Sequence, residues 1–532
     1  MTDRTSIEVP SPLLEVTTSE ALAPYRERTM SRYRTESIRV PTAVILEAQD
    51  DLERAAEDAG DGKFKRALKA IVASESGDFG SIPSIHLAEA LMIRYLAAKN
   101  PSGWLYEETP SGVQPYLVTG VSLRSTRDDS PTLQLTLHSL HPYGARGSDN
   151  ISTISLSPTE VSRKTPAKVL FNAGFSLETP ELRAAYEKEL EHFKEVAPKF
   201  AEQFRFKGTP TATDSWYSRN VERTSRVVHD LAPKSRRDLN GQFESEITEE
   251  AHDLPVMMVL PVFDLQGHDF LTVRAMDLSL YEYDKTLADK LVLPESHRTL
   301  MDVLTTEIEE FTGDFIEDKS AGNVILCQGS PGVGKTLTAE VYSEIIERPL
   351  YSLSTVSLGI TPDSVAKALR DVFDRVKRWN AVLLLDEADV FVTQRGADLT
   401  RDAIVAEFLR VMERFDGLMF MTTNLSNVID EAILSRCAAI VPYSLPSKEN
   451  ARLVWEKIAQ INDVDLGESL INDLVETFPN AAPRDIKMLL RLVLRVSRAR
   501  GAEIDLDLFK RYAVFRSMPA AIDRDGTTEV TS

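Results

Sequence analysis

The segment that decides the fold is Gly329-Ser330-Pro331-Gly332-Val333-Gly334-Lys335-Thr336, which fits the pattern G-x-x-x-x-G-K-[ST]. The glycines of such a loop allow backbone conformations closed to other residues, so its N–H groups can surround a phosphate at the start of the following helix. We expect Lys335 to lie between the β- and γ-phosphates of ATP, and the Thr336 hydroxyl to complete a Mg²⁺ shell. All eight residues, together with Leu337, are predicted to bind the nucleotide.

The flanking sequence fits the same function. The loop lies between an apolar run, residues 323–327, and residues 336–346, where apolar side chains recur at helical spacing. This is the strand–loop–helix order that a phosphate loop requires. A second apolar run, residues 381–385, ends in Asp386 and Glu387, at the strand end where open α/β sheets bind ligands. We expect Asp386 to hold Mg²⁺ through its shell and Glu387 to polarise the attacking water as general base.

Composition limits the classes of partner. The chain has 532 residues, which suits two to four domains, and carries 82 acidic against 61 basic residues, a net charge of −21. Such a charge disfavours nucleic acid and anionic membranes unless basic residues are concentrated locally. No apolar stretch approaches the roughly 18 residues that cross a bilayer, and the N-terminus lacks a secretory pattern. The two cysteines, Cys327 and Cys437, fit a reducing compartment, so we expect a cytoplasmic protein.

The first half of the chain reads as a separate α+β region. Residues 1–40 are polar with prolines and no clear period, which predicts a flexible arm. Residues 41–232 combine helical spacing with alternating runs, which is typical of a mixed recruitment or regulatory region. The charged, turn-rich residues 233–253 predict a linker, and 254–285 a β patch that leads into the next domain. No internal repeat is evident.

The second half predicts a parallel sheet followed by helices. Within 286–446, apolar runs near 323–327, 349–353, 381–385, 417–422 and 438–443 alternate with helical patterns, which indicates five strands wrapped by helices. Residues 447–516 show helical patterns only, at 448–461, 470–478, 483–498 and 506–515. Residues 517–532 predict a disordered tail.

This order of elements resembles the AAA+ ATPases, specifically the classical AAA branch. Residues 401–410, 415–424 and 430–436 look like the second homology region of that branch. The chain is especially similar to the group, common in fungi, that carries a long N-terminal β-containing region. The resemblance covers about 285–516. It implies a P-loop AAA+ core with a five-stranded parallel sheet and an all-helical lid, preceded by the mixed α+β region.

The resemblance also implies roles for three further residues. Asn424, at the end of the fourth strand, matches the sensor that orients the lytic water, because the family places that strand between the phosphate-loop and Asp386 strands. Arg436 matches an arginine finger that reaches the γ-phosphate of a neighbouring subunit; the alternative is a structural arginine at a strand edge. Arg484 resembles a second sensor in the lid, the alternative being a charge that decorates a helix end.

Two features depart from the family. Ser357 occupies the position where threading members carry an aromatic residue in the first pore loop, next to Leu358 and Gly359. The finger segment is shorter than usual and offers one arginine, Arg436, rather than two. Ser357 lacks the aromatic ring with which threading members grip polypeptide in the central pore.

Three functions fit these features. The leading one is an ATPase that uses Mg²⁺ and forms a homo-oligomeric ring, expected as a hexamer, to remodel a macromolecular partner recruited by the N-terminal region. The alternative is a nucleotide-gated scaffold or signalling switch with slow hydrolysis, which the missing pore aromatic favours. The third is a nucleic-acid helicase, since residues 386–389 read D-E-A-D. No second RecA-like domain follows, and the acidic charge disfavours that function.

Overall fold

The structure, a computed structural model, describes residues 5–30, 35–109, 112–124, 130–143, 149–213, 221–231, 254–306, 323–359, 361–394, 399–425 and 429–518. Its strands are β1 (Ser6–Pro10), β2 (Ser37–Pro41), β3 (Trp104–Thr109), β4 (Gly112–Arg124), β5 (Thr132–Leu140), β6 (Asp149–Leu156), β7 (Phe175–Leu177), β8 (Gln203–Gly208), β9 (Ala212–Thr213), β10 (Arg223–His229), β11 (Val259–Asp264), β12 (Phe270–Arg274), β13 (Leu278–Leu280), β14 (Asn323–Gly329), β15 (Leu350–Ser354), β16 (Val382–Asp386), β17 (Leu418–Thr423) and β18 (Ala439–Tyr443).

The helices are numbered along the same described residues. They are α1 (Ser11–Val16), α2 (Ala23–Thr29), α3 (Thr42–Glu47), α4 (Gln49–Asp58), α5 (Gly62–Glu75), α6 (Ala88–Lys99), α7 (Pro158–Val161), α8 (Pro166–Asn172), α9 (Pro180–Val196), α10 (Glu295–Thr306), α11 (Lys335–Ile345), α12 (Pro362–Trp379), α13 (Asp389–Val392), α14 (Leu399–Met412), α15 (Glu431–Leu434), α16 (Lys448–Ile461), α17 (Glu468–Thr477), α18 (Pro483–Arg500) and α19 (Leu506–Ala513). No described helix is both long and apolar enough to cross a membrane.

The second half confirms the predicted fold class. Strands β14 to β18 form a parallel sheet in the order β15-β16-β17-β14-β18, and helices α11, α12 and α14 pack on it. Each strand begins within about one residue of its predicted start, because buried parallel strands are continuous apolar runs. β17 lies between the phosphate-loop strand β14 and the Asp386 strand β16, as the family order implies. Helices α16 to α19 form the all-helical lid around their own apolar core.

The N-terminal residues differ from the expected flexible arm. β1 and β2 pair antiparallel, and their apolar side chains are buried against α3 to α6 and the sheet that contains β4 and β5. The two strands read SIEVP and SIRVP, and each leads directly into a helix, so the segment holds a short repeat that we did not expect. The prolines suggested irregular chain, but they stand at helix starts, where a missing N–H costs nothing.

A second difference concerns the boundary at 233–253. That segment lies outside the described residues, but the strands on either side of it belong to one antiparallel sheet, in the order β13-β8-β10-β11-β12-β9. The predicted β patch is thus half of a sheet whose other half precedes the boundary. Local sequence patterns do not predict the pairing of β10 with β11, because it depends on tertiary packing. The pairing is still possible across the long segment, because the entropic cost of closing a loop grows only slowly with its length. A fourth sheet, β6-β5-β4-β3-β7, is formed by residues between 104 and 177, which precede the six-stranded sheet in the chain.

The six-stranded sheet packs directly on the second half of the chain. Phe263 of β11 contacts the rings of Tyr351 and Trp379, at centroid distances of 5.5 and 5.2 Å. Asp230, which follows β10 and is fully buried, accepts hydrogen bonds from the Arg378 guanidinium and from Trp379 Nε1, the latter at 2.9 Å. Both contacts involve Trp379, the last residue of α12, which lies shortly before β16 in the chain.

Candidate nucleotide site

The phosphate loop joins β14 to α11 through conformations that require glycine. Gly329 has φ +154°, and a Cβ placed there would lie 2.1 Å from the carbonyl oxygen of Tyr443 in the neighbouring strand β18. Gly334, with φ +108°, is the left-handed residue that precedes the first turn of α11. The loop therefore ends with the N–H groups of a helix start, which favour an anion.

Lys335 is held inside the loop rather than extended into solvent. Its ammonium donates to the carbonyl oxygens of Gly329 (2.7 Å) and Ser330 (2.8 Å) and to Asn424 Oδ1 (3.0 Å). Burial lowers the pKa of Lys335, although the nearby Cys327 and Asp386 oppose this effect. The structure thus brings together two predicted site residues, Lys335 and Asn424, that are 89 positions apart.

Asp386, the last residue of β16, is hydrogen-bonded to the start of α11 and to β17. Its Oδ1 accepts hydrogen bonds from Thr336 Oγ1 (2.9 Å) and from Thr422 Oγ1 (2.6 Å). A hydroxyl and a carboxylate side by side are the oxygen ligands that Mg²⁺ takes in phosphate-binding sites, so the two predicted metal residues fit that ion. Thr422 was not predicted. Its only signal was its place near the end of the strand that precedes Asn424.

Glu387 occupies a constrained turn. Its φ is +52°, which is unfavourable for a glutamate and costs on the order of 1–3 kcal/mol. The Glu387 N–H donates to Thr422 Oγ1 at 3.0 Å, and the next N–H, of Ala388, donates to the Thr422 carbonyl at 2.8 Å. These contacts fix the turn after β16 and leave the Glu387 side chain exposed at the pocket.

Asp389 is a second residue that sequence reasoning left without a role. Its Oδ1 accepts from Thr423 Oγ1 (2.5 Å) and from the Asn424 backbone N–H (3.1 Å). The carboxylate therefore fixes the backbone that carries the Asn424 amide. Asp389 is the last residue of the run D-E-A-D, which we considered only as a possible helicase motif.

The lid closes one side of the site. The Arg484 N–H, in the first turn of α18, donates to the Gly332 carbonyl at 3.1 Å, and a Cβ on Gly332 would lie 2.9 Å from the Arg484 Cβ. Arg484 lines the pocket, as the family resemblance implies for a second sensor.

The resulting pocket has a volume of about 690 Å³, within the usual range for small-molecule sites. Its wall consists of the loop, the ends of β16 and β17, residues 287–293, and the lid. Basic residues outnumber acidic ones in this wall. The basic set is Lys290, Lys335, Lys457, Arg484, Lys487 and Arg491, and the acidic set is Glu340, Asp386 and Glu387. In a chain of net charge −21, this local excess of positive charge fits a polyphosphate.

Arg436 and the pore-loop segment lie elsewhere. The Arg436 guanidinium donates to the Ala432 carbonyl (2.9 Å) and pairs with Glu413. Arg436 is absent from the described residues that line the pocket of its own chain. Leu358 is 3% exposed and packs in the core beneath α12. The Ser357 side chain is outside the described part of the structure.

The fold and this pocket are those of a P-loop nucleotide-binding domain of the α/β class. The sequence model of the ATPase family associated with various cellular activities (AAA) matches residues 325–445. The chain therefore contains a AAA ATPase domain.

Three relatives illustrate the similarity. A 26S proteasome regulatory subunit homolog of Methanothermobacter marburgensis is 26% identical over 172 residues, 31% of this chain and 46% of the relative. The ATP-dependent zinc metalloprotease FtsH of Protochlamydia amoebophila is 25% identical over 268 residues, 43% and 29% of the two chains. CD-NTase-associated protein 6 of Pseudomonas aeruginosa is 27% identical over 180 residues, which are 29% of this chain and 55% of the relative. The chain spans about half or less of the length of these relatives.

Two solved structures match the chain at low identity and low TM-score. The HORMA:CdnC:Trip13 complex of E. coli MS115-1 contains a chain that matches with 20% identity and a TM-score of 0.34, covering 44% of this chain and 92% of that one. The FIGL-1 AAA domain in complex with ADP matches with 18% identity and a TM-score of 0.36, covering 44% and 85%.

Proposed function

We propose that this protein binds and hydrolyses ATP with Mg²⁺, as a cytoplasmic homo-oligomeric ring, to remodel a protein partner recruited by its N-terminal region. The observation that supports the ATPase activity is the convergence of Lys335, Thr336, Asp386, Glu387 and Asn424 at one end of one parallel sheet. Each carries the chemical group that its role needs, and the pocket wall beside them is basic.

The roles follow from the contacts. Lys335 holds the phosphates by charge, while the loop N–H groups donate to their oxygens. Thr336 and Asp386 hold Mg²⁺, which when bound neutralises charge on the phosphates. Glu387 accepts a proton from the attacking water, and Asn424 orients that water. Arg484 contributes a lid cation.

The ring is supported by the position of Arg436. A finger that acts on its own nucleotide would lie in the pocket of its own chain, whereas Arg436 lies outside that pocket and retains an exposed fraction of 30%. We therefore propose that it acts on the nucleotide of a neighbouring copy, in a ring of six.

The second candidate function is a nucleotide-gated scaffold or switch with slow hydrolysis. The observation that favours it is the burial of Leu358, which removes an apolar side chain from the loop that would grip polypeptide. The remodelled partner would then be held and released rather than threaded.

The test is a Glu387→Gln variant of the full chain. It should bind Mg-ATP as the wild type does and hydrolyse it at least about a hundredfold more slowly, the scale of a lost general base. Turnover is measured by phosphate release and affinity by calorimetry, with Lys335→Ala as the variant that should not bind. Wild-type turnover in Glu387→Gln would refute the catalytic role. Very slow turnover in the wild type itself, unchanged by any added protein, would favour the switch.

A further inference from the structure

Helix α18 carries a stripe of basic residues along its whole length. Arg484, Lys487, Arg491, Arg495 and Arg498 follow one another at spacings of three and four, which places them on one face of the helix. The opposite face is buried in the lid core. Over about 21 Å, by the rise of an α-helix, this face presents five positive charges in an acidic chain.

The stripe has two parts that the structure distinguishes. Arg484, Lys487 and Arg491 line the nucleotide pocket, whereas Arg495 and Arg498 are absent from its described lining. None of the five forms an ion pair within the part of the chain that the structure describes. Three charges therefore line a shared cavity with no described carboxylate within ion-pair distance, and two similar charges on the same face serve as natural controls.

Glu340 is one of the three acidic residues that line the same pocket as the stripe. It lies one turn beyond Thr336 on α11. Burial raises the pKa of Glu340, while Arg226 and Lys487 favour its charged form. Lys487 thus has a partner at longer range than an ion pair, whereas no described carboxylate pairs with Arg491.

We propose that Lys487 and Arg491 are nucleotide-binding residues that, beside Arg484, make the affinity of the pocket depend on the number of phosphate groups in the ligand. This inference rests on the proposed ATPase function. A triphosphate carries more negative charge than a diphosphate, so each added cation favours ATP over ADP. Because the cations are on the lid and Lys335 is on the core, a triphosphate also draws the two parts together.

The experiment is calorimetric titration of the full chain, carrying Glu387→Gln, with Mg-ATP, Mg-ADP and AMP. Arg491→Ala and Lys487→Ala should each weaken Mg-ATP binding about tenfold, the effect of one lost charged hydrogen bond, and AMP binding by less than about twofold. Binding of Mg-ADP should weaken by an intermediate factor, so the preference for ATP falls. The matched controls Arg495→Ala and Arg498→Ala lose the same charge from the same stripe and should bind all three ligands as the parent does.

Two further variants exclude simpler explanations. Arg491→Lys keeps the charge and should recover most of the lost preference for ATP, which a misfolded lid would not do. Lys487→Ala is repeated with Glu340→Gln, because a lysine that only balances Glu340 would lose its effect in that background. That result would overturn the role of Lys487.

The outcomes separate this inference from the function on which it rests. A parent protein that does not bind Mg-ATP refutes the proposed function. A parent that binds Mg-ATP, with Arg491→Ala as tight and as selective as Arg495→Ala, leaves that function standing and overturns this inference.

Discussion

At the scale of single residues, the site depends on side chains that hold other site residues in place. Asp389 fixes Asn424 through the backbone N–H, and Thr422 fixes both Asp386 and the turn at Glu387. The loop residues and the pair Asp386-Glu387 were predicted from contiguous motifs, whereas Asn424, Arg436 and Arg484 were predicted from the family resemblance. Asp389 and Thr422 were missed, because their hydrogen bonds join residues 34 and 36 positions apart and no contiguous motif records such bonds.

Asp389→Ala should therefore impair catalysis more than binding. The Asn424 backbone would lose one acceptor and the Thr423 hydroxyl another, so the amide would be less well oriented toward the water. We expect turnover to fall about tenfold or more, with the Mg-ATP dissociation constant changed by less than about threefold. Steady-state kinetics and calorimetry measure the two quantities. An equal loss in both would mean that Asp389 supports the pocket as a whole.

His229 provides a prediction about pH. It is 1% exposed, and burial lowers its pKa from 6.5 to about 4. Between pH 6.5 and 4, His229 therefore binds a proton in the unfolded chain and stays neutral in the folded chain. The free energy of unfolding consequently decreases as the pH falls from 6.5 toward 4. At pH 5 the loss is about 2 kcal/mol. The melting temperature of the wild type should fall more between pH 7 and 5 than that of His229→Leu, and parallel pH profiles would contradict this assignment.

At the scale of elements, the parallel sheet and lid were predictable and the N-terminal sheets were less so. Buried parallel strands and amphipathic helices carry their signal locally, which is why β14 to β18 and α16 to α19 match the predicted positions. β10 and β11 pair across residues 233–253, and β1 pairs with β2 across two helices. Such pairings depend on which surfaces meet, and local periodicity does not contain that information.

The junction between β10 and α12 can be tested by two matched variants. Asp230→Ala removes a fully buried carboxylate that accepts from Arg378 and Trp379, and should cost about 3–5 kcal/mol. Asp416→Ala removes the ion-pair partner of Lys377, which lies on α12 beside Arg378. Both side chains of this pair are largely exposed, so the free energy of unfolding should fall by less than about 1 kcal/mol. Thermal unfolding measures both. Equal effects would mean that the Asp230 contact adds nothing beyond a surface pair.

At the scale of the whole molecule, the proposed ring requires that subunits complete each other's sites. Arg436→Ala should retain Mg-ATP binding and lose hydrolysis, because only the neighbour's nucleotide loses a cation. Lys335→Ala should lose binding but keep an intact finger.

Mixing the two variants should restore part of the activity, since a Lys335→Ala subunit can serve the working loop of an Arg436→Ala neighbour. Phosphate release is measured in mixtures shown by mass photometry to co-assemble, with each variant alone as the control. Co-assembly without rescue would assign Arg436 a structural role through Glu413.

The contact of Phe263 with Tyr351 and Trp379 has a practical consequence for dissecting this protein. A recombinant fragment that starts at residue 286, where the nucleotide-binding half was predicted to begin, would lack Phe263 and Asp230. Its surface would then expose two large aromatic rings that the intact chain buries, and such a patch promotes aggregation. Shortened versions for crystallisation or binding assays should therefore begin before β8, so that the whole six-stranded sheet is kept.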